Sequence, residues 1–296
     1  MKGGMDEIVN SLSKLHLSNS DSVYKSNAED EKKEDWSLRP TLTLGKESIA
    51  FRSVSKIDAC GCGHEHHKKS SNHDGDEIAF VDCLSKLDVI KKQEVKMAVW
   101  QRKDVPNFVD ALNDPAVTFG DLPHFKGLVT KKEVSSQLRK HLLCSCPNTH
   151  GYLSKDIIDA LIEDIDTLVS AFADISKSDN IYVKLKKVDS DQCKFWHQDS
   201  VDFRLVTTYR GPCTEFVQPE YSVETLENKE DDSNHAQSLS LRDVALFKGQ
   251  GLDDLAQTDG TNKQEGIVHR SPRIEKERGV FRLLLVLDIP QAGWHY

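Results

Sequence analysis

Val280-Phe-Arg-Leu-Leu-Leu-Val-Leu-Asp288 is the stretch on which the fold turns. A run this short and this apolar fits a strand covered on both faces, and the arginine inside it must find a partner or lie at a wet cavity. Working backward, Gly266-Ile-Val-His269 and Val244-Ala-Leu-Phe247 are further short apolar runs. Phe203-Arg-Leu-Val-Thr-Thr-Tyr209 and Ile181-Tyr-Val-Lys-Leu185 alternate with the period of two that a pleated strand needs. Upstream of residue 178 the period changes to that of helices. Ile158, Leu161, Ile165, Leu168, Val169 and Phe172 recur every three or four positions behind a capping Ser154, and Val134, Leu138 and Leu142 follow the capping-box pattern Thr130-Lys-Lys-Glu133. Cys83–Ile90 and Val95–Leu112 also carry helical spacing, broken near Pro106. Helices first and strands after predict an α+β fold, its strands closing as a sandwich or barrel and its acidic stretch Glu224–Asn234 and Gly249–Glu265 forming surface loops.

Residues 1–76 are rich in Ser, Asp, Glu, Lys, His and Gly and hold no sustained period, so they are expected to form a mostly disordered extension, with one short strand at 41–44 or 49–51. That leaves one domain over 77–296, helical over 82–177 and β over 178–290. The extension also explains a hydrophobic share of only 38% in a chain with such apolar strands. A net charge of -9 argues against nucleic acid as a partner. No apolar run is long enough to span a membrane, and the first residues lack a secretory h-region, which predicts a cytoplasmic or nuclear protein that is not secreted. Seven cysteines, an odd number, then read as thiols or metal ligands. A nucleophile elbow, a phosphate-binding Gly-rich loop and a Rossmann glycine pattern are all missing.

The first chemical candidate is Trp196-His-Gln-Asp199. In extended backbone His197 and Asp199 point the same way, and His269 ends an apolar run about 70 residues later. Two imidazoles and one carboxylate from neighbouring strands make one face of an octahedron, the set that suits Fe(II) and leaves positions open for a co-substrate and oxygen. Arg282, or else Arg273, is placed to grip the far carboxylate of 2-oxoglutarate. The competing reading has His197 hydrogen-bonding in a turn, Asp199 capping, His269 packing in a core and Arg282 ion-paired to Asp288, Asp202 or Glu215. The second candidate is Cys60-Gly-Cys-Gly-His-Glu-His-His67, where Cys60, Cys62, His64, His66 and His67 suit a secondary zinc or copper(I) site in a flexible tail, against an inert His-rich linker. Cys144-Ser-Cys146-Pro reads as reduced cysteines closing a helix.

Phe195-Trp-His-Gln-Asp-Ser-Val-Asp-Phe-Arg204, Tyr209-Arg-Gly-Pro-Cys-Thr-Glu215, His269-Arg-Ser-Pro272 and Arg282–Asp288, with Ala98-Val-Trp-Gln-Arg102 near the start, together resemble the domain-of-unknown-function family numbered 1826 over about residues 80–290. Cys213 stands where that family tends to have Gly, which puts a tight approach of the loop in question. The resemblance implies bacterial relatives encoded among zinc-uptake genes and, by the order His-x-Asp, His and Arg, a remote likeness to the cupin-type double-stranded β-helix of Fe(II)/2-oxoglutarate dioxygenases. N-terminal helices packed on such a C-terminal jelly-roll-like domain are therefore expected. The function expected is a non-haem Fe(II) oxygenase using 2-oxoglutarate on a small-molecule or protein substrate near Arg204, Tyr209 and Glu215, with Arg210 at the cavity mouth. The alternative is a non-enzymatic zinc-binding protein of metal homeostasis.

Overall fold

A computed structural model describes residues 76–104, 106–144, 152–190, 192–251, 266–274 and 278–291. All of them lie in the second of two units into which the chain divides, His67–Tyr296. The expected extension, its short strand and most of the 249–265 loop lie outside the described residues.

The structure is mixed α/β with one large sheet. In chain order its elements are β1 (Ile78–Val81), β2 (Met97–Trp100), α1 (Asn107–Leu112), β3 (Phe125–Thr130), α2 (Val134–Cys144), α3 (Lys155–Ser176), β4 (Asn180–Val188), β5 (Phe203–Arg210), β6 (Glu215–Phe216), α4 (Ser222–Glu227), β7 (Gln237–Ser238), β8 (Val244–Lys248), β9 (His269–Arg270) and β10 (Arg282–Asp288). Seven strands form the large sheet in the order β1-β2-β8-β5-β10-β4-β3, and β7-β6-β9 form a small one. The apolar run of β10 sits inside the large sheet, antiparallel to β4 on one side and β5 on the other. That position explains why both of its faces are covered.

Side-chain parity divides the core in two. Leu205 and Tyr209 of β5 and Leu283, Leu285 and Leu287 of β10 share a cluster with Leu161, Ile165, Leu168 and Phe172 of α3. On the alternate positions, Val206, Leu284 and Val286 join Met97, Val99, Ala245 and Phe247, and with them Phe216 and Ile267 from the region of the small sheet. The long helix follows its sequence signals closely. Ser154 accepts the backbone N–H of Ile157 at its start, and Lys177 closes it in the left-handed region at φ 57°.

Two segments of the region expected to be helical are strands. Met97–Trp100 lies within the expected helix Val95–Leu112 but forms β2, and only Asn107–Leu112 is helical. Met97, Ala98 and Val99 are all fully buried, so the strand shows no alternation and its short apolar run reads equally well as helix. Phe125–Thr130 forms the edge strand β3, whose interior Gly127 weakens the strand signal. Cys83–Ile90, also expected as a helix, contributes a 3-10 segment at Leu84–Lys91, and α4 runs into the start of the expected acidic loop. Strands therefore precede the helices as well as follow them.

Leu285 is fully buried against the helix-side cluster and is paired with Leu185 and Thr207 across the sheet. Leu285→Ala is expected to cost about 2–5 kcal/mol by lost burial and a cavity, read as a lowered urea midpoint at unchanged m-value.

Candidate metal centre

His197 and His269 are brought together by backbone pairing. They face each other as an isolated antiparallel bridge and exchange both backbone hydrogen bonds, each 3.0 Å. Residues so paired project side chains to the same side, and the two rings lie 4.6 Å apart between centroids. Asp199, two residues beyond His197, points the same way. One ligand atom from each of the three lies within 4.8 Å of the others, with His269 Nε2 3.2 Å from Asp199 Oδ2 and His197 Nε2 3.7 Å from Asp199 Oδ1. Asp199 and His269 are buried, while His197 retains a solvent-facing edge.

The protonation pattern follows from the partners. His197 Nδ1 contacts the Phe195 carbonyl at 2.8 Å and His269 Nδ1 the Ile267 carbonyl at 3.1 Å. A carbonyl only accepts, so each Nδ1 carries a hydrogen and each ring turns its Nε2 toward Asp199. Burial, followed by the neighbouring His269, pushes the His197 imidazole below its ordinary range and favours its neutral form. Burial would raise the Asp199 carboxyl, but His269 and then Arg204 outweigh it and hold it well below the usual carboxylate range. Asp199 Oδ2 is buried with no hydrogen-bond partner; His269 Nε2 approaches it without the alignment of a bond. Two imidazole Nε2 atoms and an orphaned carboxylate oxygen converging at this distance fit a divalent cation, and a pair of histidines with one carboxylate is the donor set of non-haem Fe(II) sites.

The surroundings fix that geometry. Arg204 on β5 donates to Asp199 Oδ1 and, through Nε at 2.6 Å and Nη2 at 3.1 Å, grips both oxygens of Asp288 on β10. Lys184 of β4 binds the same Asp288 at 2.7 Å. Gly249 lies against this loop, where an added Cβ would collide with the carbonyl oxygens of Val201 and Asp199. Gln198 faces the other way, donating to the Gly266 carbonyl at 2.6 Å and accepting from Gln250 at 2.7 Å. Trp196 is buried with its indole N–H on the Asp231 carbonyl, and Phe247 packs 4.9 Å from the His269 ring.

The remaining sequence-predicted residues separate clearly. Arg282 is fully buried; its Nη2 reaches Thr214 Oγ1 at 3.4 Å, while its Nε and Nη1 have no hydrogen-bond partner. Desolvation pushes its guanidinium down to about 10. Arg273 is exposed and lies 3.4 Å from Asp232. Glu215 is bound by Arg270 at 2.7 Å, and Arg210 donates to the Leu112 and Asp114 carbonyls while lying over the Phe281 ring. Tyr209, expected beside a substrate, projects to the opposite face of β5 from Arg204, where its hydroxyl donates to Asp164 at 2.7 Å and its ring meets Phe108 edge-on. Arg204, expected to touch substrate, is occupied by Asp199 and Asp288. The close approach expected at Cys213 occurs at Gly211, which has φ 84° and would drive a Cβ into the Phe281 carbonyl oxygen, whereas Cys213 is buried in the inner cluster. Cys60, Cys62, His64, His66 and His67 lie outside the described residues. The sequence reading missed the backbone bridge between the histidines and the role of Arg204; an arginine five residues after the carboxylate and on the same strand face as Val206 was the available signal.

The chain belongs to the family described as "Protein of unknown function (DUF1826)", which matches residues 81–288. No curated protein matches the chain. Among solved structures it is similar to a C-terminally truncated Neurospora crassa protein in apo form, at 12% identity and TM-score 0.39, covering 77% of this chain and 100% of that one. The full-length form of the same Neurospora crassa protein, in complex with alpha-KG, gives 11% identity and TM-score 0.36, covering 78% and 90%. A Pseudomonas putida prolyl-4-hydroxylase gives 11% and 0.28, covering 65% and 97%.

Two outcomes follow for this centre. Arg204→Lys keeps a charge but loses the fork that spans Asp199 and Asp288, and is expected to weaken Fe(II) binding by roughly 10–100-fold, measured by anaerobic titration. Tyr209→Phe is expected to leave Fe(II) affinity unchanged and to cost about 1 kcal/mol of unfolding free energy, because its hydroxyl serves the helix-side packing.

Proposed function

We propose that this protein is a non-haem Fe(II)-dependent, 2-oxoglutarate-using oxygenase whose inner core is a double-stranded β-helix with the α-helices packed on its outer face. The observation that carries the reading is the pairing of two features on one side of the large sheet. His197, Asp199 and His269 converge on one point, and Arg282 lies buried without a carboxylate partner. A structural ion pair would have satisfied Arg282, and a zinc store needs no unpaired buried cation. An oxygenase that binds a dicarboxylate needs both.

His197, Asp199 and His269 would hold the metal on one face. Bound Fe(II), with dioxygen, would supply the redox chemistry, in which the keto acid loses CO2 to become succinate as one oxygen atom enters the substrate. Arg282 would bind the far carboxylate of the keto acid, with the Thr214 hydroxyl beside it; Arg273, exposed and next to Asp232, is less suited. Arg204 acts through Asp199, holding its Oδ1 so that Oδ2 faces the imidazoles. Phe247, buried against His269, keeps water from one side of the centre. The substrate would enter on the solvent-facing side of His197.

The deciding measurement is Fe(II)-dependent succinate formation from 2-oxoglutarate with matching oxygen uptake. Activity is expected in the intact protein and lost in His269→Ala, and Arg282→Met is expected to raise the KM for 2-oxoglutarate by roughly 10–100-fold, the worth of a charge-assisted hydrogen-bond pair. Stoichiometric zinc with no consumption of oxygen or keto acid would overturn the oxygenase reading in favour of metal homeostasis.

A further inference from the structure

The inner side of the large sheet is covered unevenly. Over β2, β8, β5 and β10 the side chains of Val99, Ala245, Val206 and Val286 are buried in the cluster that takes in Phe216 and Ile267 from the region of the small sheet. Beyond β10 the same face, carried by β4 and β3, is open. Lys126 and Lys186 are exposed there, Lys184 is half-buried and Leu128 is 38% exposed. Strand register sets these residues in rows. Leu128 stands opposite Tyr182, Tyr182 opposite Asp288 and Asp288 opposite Arg204, and in the next row Lys126 stands opposite Lys184. Lys186 follows Lys184 by two residues on that face, whereas Lys187 turns to the other and lies over the Phe119 ring.

This open floor adjoins the metal centre. Lys184 binds Asp288, Asp288 binds Arg204 and Arg204 holds Asp199, so an unbroken chain of ion pairs leads from the floor to a metal ligand. The floor also carries an excess of positive charge. Lys126 and Lys184 stand directly opposite each other, which like charges disfavour, and both ammonium groups lie over the ring of Tyr182, 6.0 and 5.0 Å from its centroid. Asp288 is the one carboxylate that β3, β4, β5 and β10 place on this face, and Lys184 and Arg204 already match it. Desolvation and then the Lys184 charge hold the Lys186 ammonium below its ordinary range; Arg204 adds to this, and Cys193 and Asp288 oppose it only in part. An anion resting on the floor would relieve that repulsion.

The kind of cation narrows the kind of anion. A carboxylate is matched best by the planar fork of an arginine, whereas a phosphate group, with three terminal oxygens and up to two charges, suits several ammonium point charges arriving from different directions. Lys126 and Lys184 are roughly 5 Å apart across the strands and Lys184 and Lys186 roughly 6.6 Å apart along one, so their four-carbon stems can close on a single group. We propose that the substrate of this centre is a phosphate-bearing molecule, its phosphate docked on Lys126, Lys184 and Lys186 and the part to be oxidised reaching across Tyr182 and Asp288 toward the metal. The exposed Leu128, level with Tyr182, offers apolar contact beside that path. The word substrate rests on the oxygenase reading; the phosphate site stands on the floor alone.

The test uses the full-length protein loaded with Mn(II), a paramagnetic stand-in for Fe(II), with phenyl phosphate as the probe and benzoate as its carboxylate counterpart. By calorimetry at low salt, phenyl phosphate is expected to bind saturably and roughly tenfold more tightly than benzoate. The double variant Lys126→Met, Lys186→Met is expected to weaken it roughly tenfold, the worth of two exposed charge pairs, and Lys187→Met, which removes the same charge from the other face, to leave it unchanged. Bound Mn(II) is expected to speed the phosphorus-31 relaxation of the probe, and His269→Ala to abolish that effect while binding persists. Equal affinities for the intact protein and the double variant, or benzoate bound as tightly as phenyl phosphate, would refute the phosphate site. Tight binding with no relaxation effect would separate the floor from the metal and refute the substrate role. All the expected results in a protein that forms no succinate from 2-oxoglutarate would uphold the phosphate site and overturn the oxygenase reading.

Discussion

Arg204 is the interaction on which the centre depends. Its guanidinium joins Asp288, in a strand of the large sheet, to Asp199, in the loop that carries the metal-binding motif. A lysine could not replace it, because only a planar fork presents donors in two fixed directions. The pairing is expensive to bury, and removing one member of such a set typically costs about 3–5 kcal/mol because the remaining charge is stranded. Its return is geometric. Asp199 cannot rotate Oδ1 away from Arg204 without breaking the link to the sheet, so Oδ2 remains turned to the imidazoles.

The histidines are held by a different device. Each Nδ1 is tied to the carbonyl two residues before it in its own chain, and the two backbones are tied to each other by the bridge between residues 197 and 269. Ring orientation, tautomer and separation are therefore all set by the main chain. The two Nε2 atoms and the Asp199 oxygen that lacks a hydrogen-bond partner are thus already turned to one point, so the centre is preorganised for an ion.

Much of this was legible in the sequence, for reasons that differ by element. The helix Lys155–Ser176 carries a capping serine and an unbroken apolar stripe, two signals that agree, and the strands β4 and β5 alternate because one face meets the helices and the other the inner side of the sheet. The candidate metal ligands His197 and Asp199 were legible because a two-residue spacing in extended backbone fixes a shared side. The strand β2 was not, since complete burial on both faces erases alternation. Tyr209 was read toward a substrate because it opens the Tyr209–Glu215 block that carries the family resemblance. Its position in the strand decides otherwise, odd-numbered with Leu205 and therefore on the helix side.

That parity also explains how one sheet carries both an apolar core and a charged centre. On β10 the odd positions Leu283, Leu285 and Leu287 are uniformly leucine and face the helices, whereas the even positions run Arg282, Leu284, Val286 and Asp288. The charged residues of this second set stand at the two ends of the strand, with aliphatic residues between them. Asp288 at one end is neutralised by Arg204 and Lys184, and Arg282 at the other end has no such match. A slip of one residue in the β10 register would carry Arg282 and Asp288 into the helix-side core and three leucines to the inner face, so the same leucines that stabilise the fold forbid the alternative register. The unmatched Arg282 is thus kept buried by the packing of its neighbours, and a ligand anion can satisfy it without any rearrangement of the sheet.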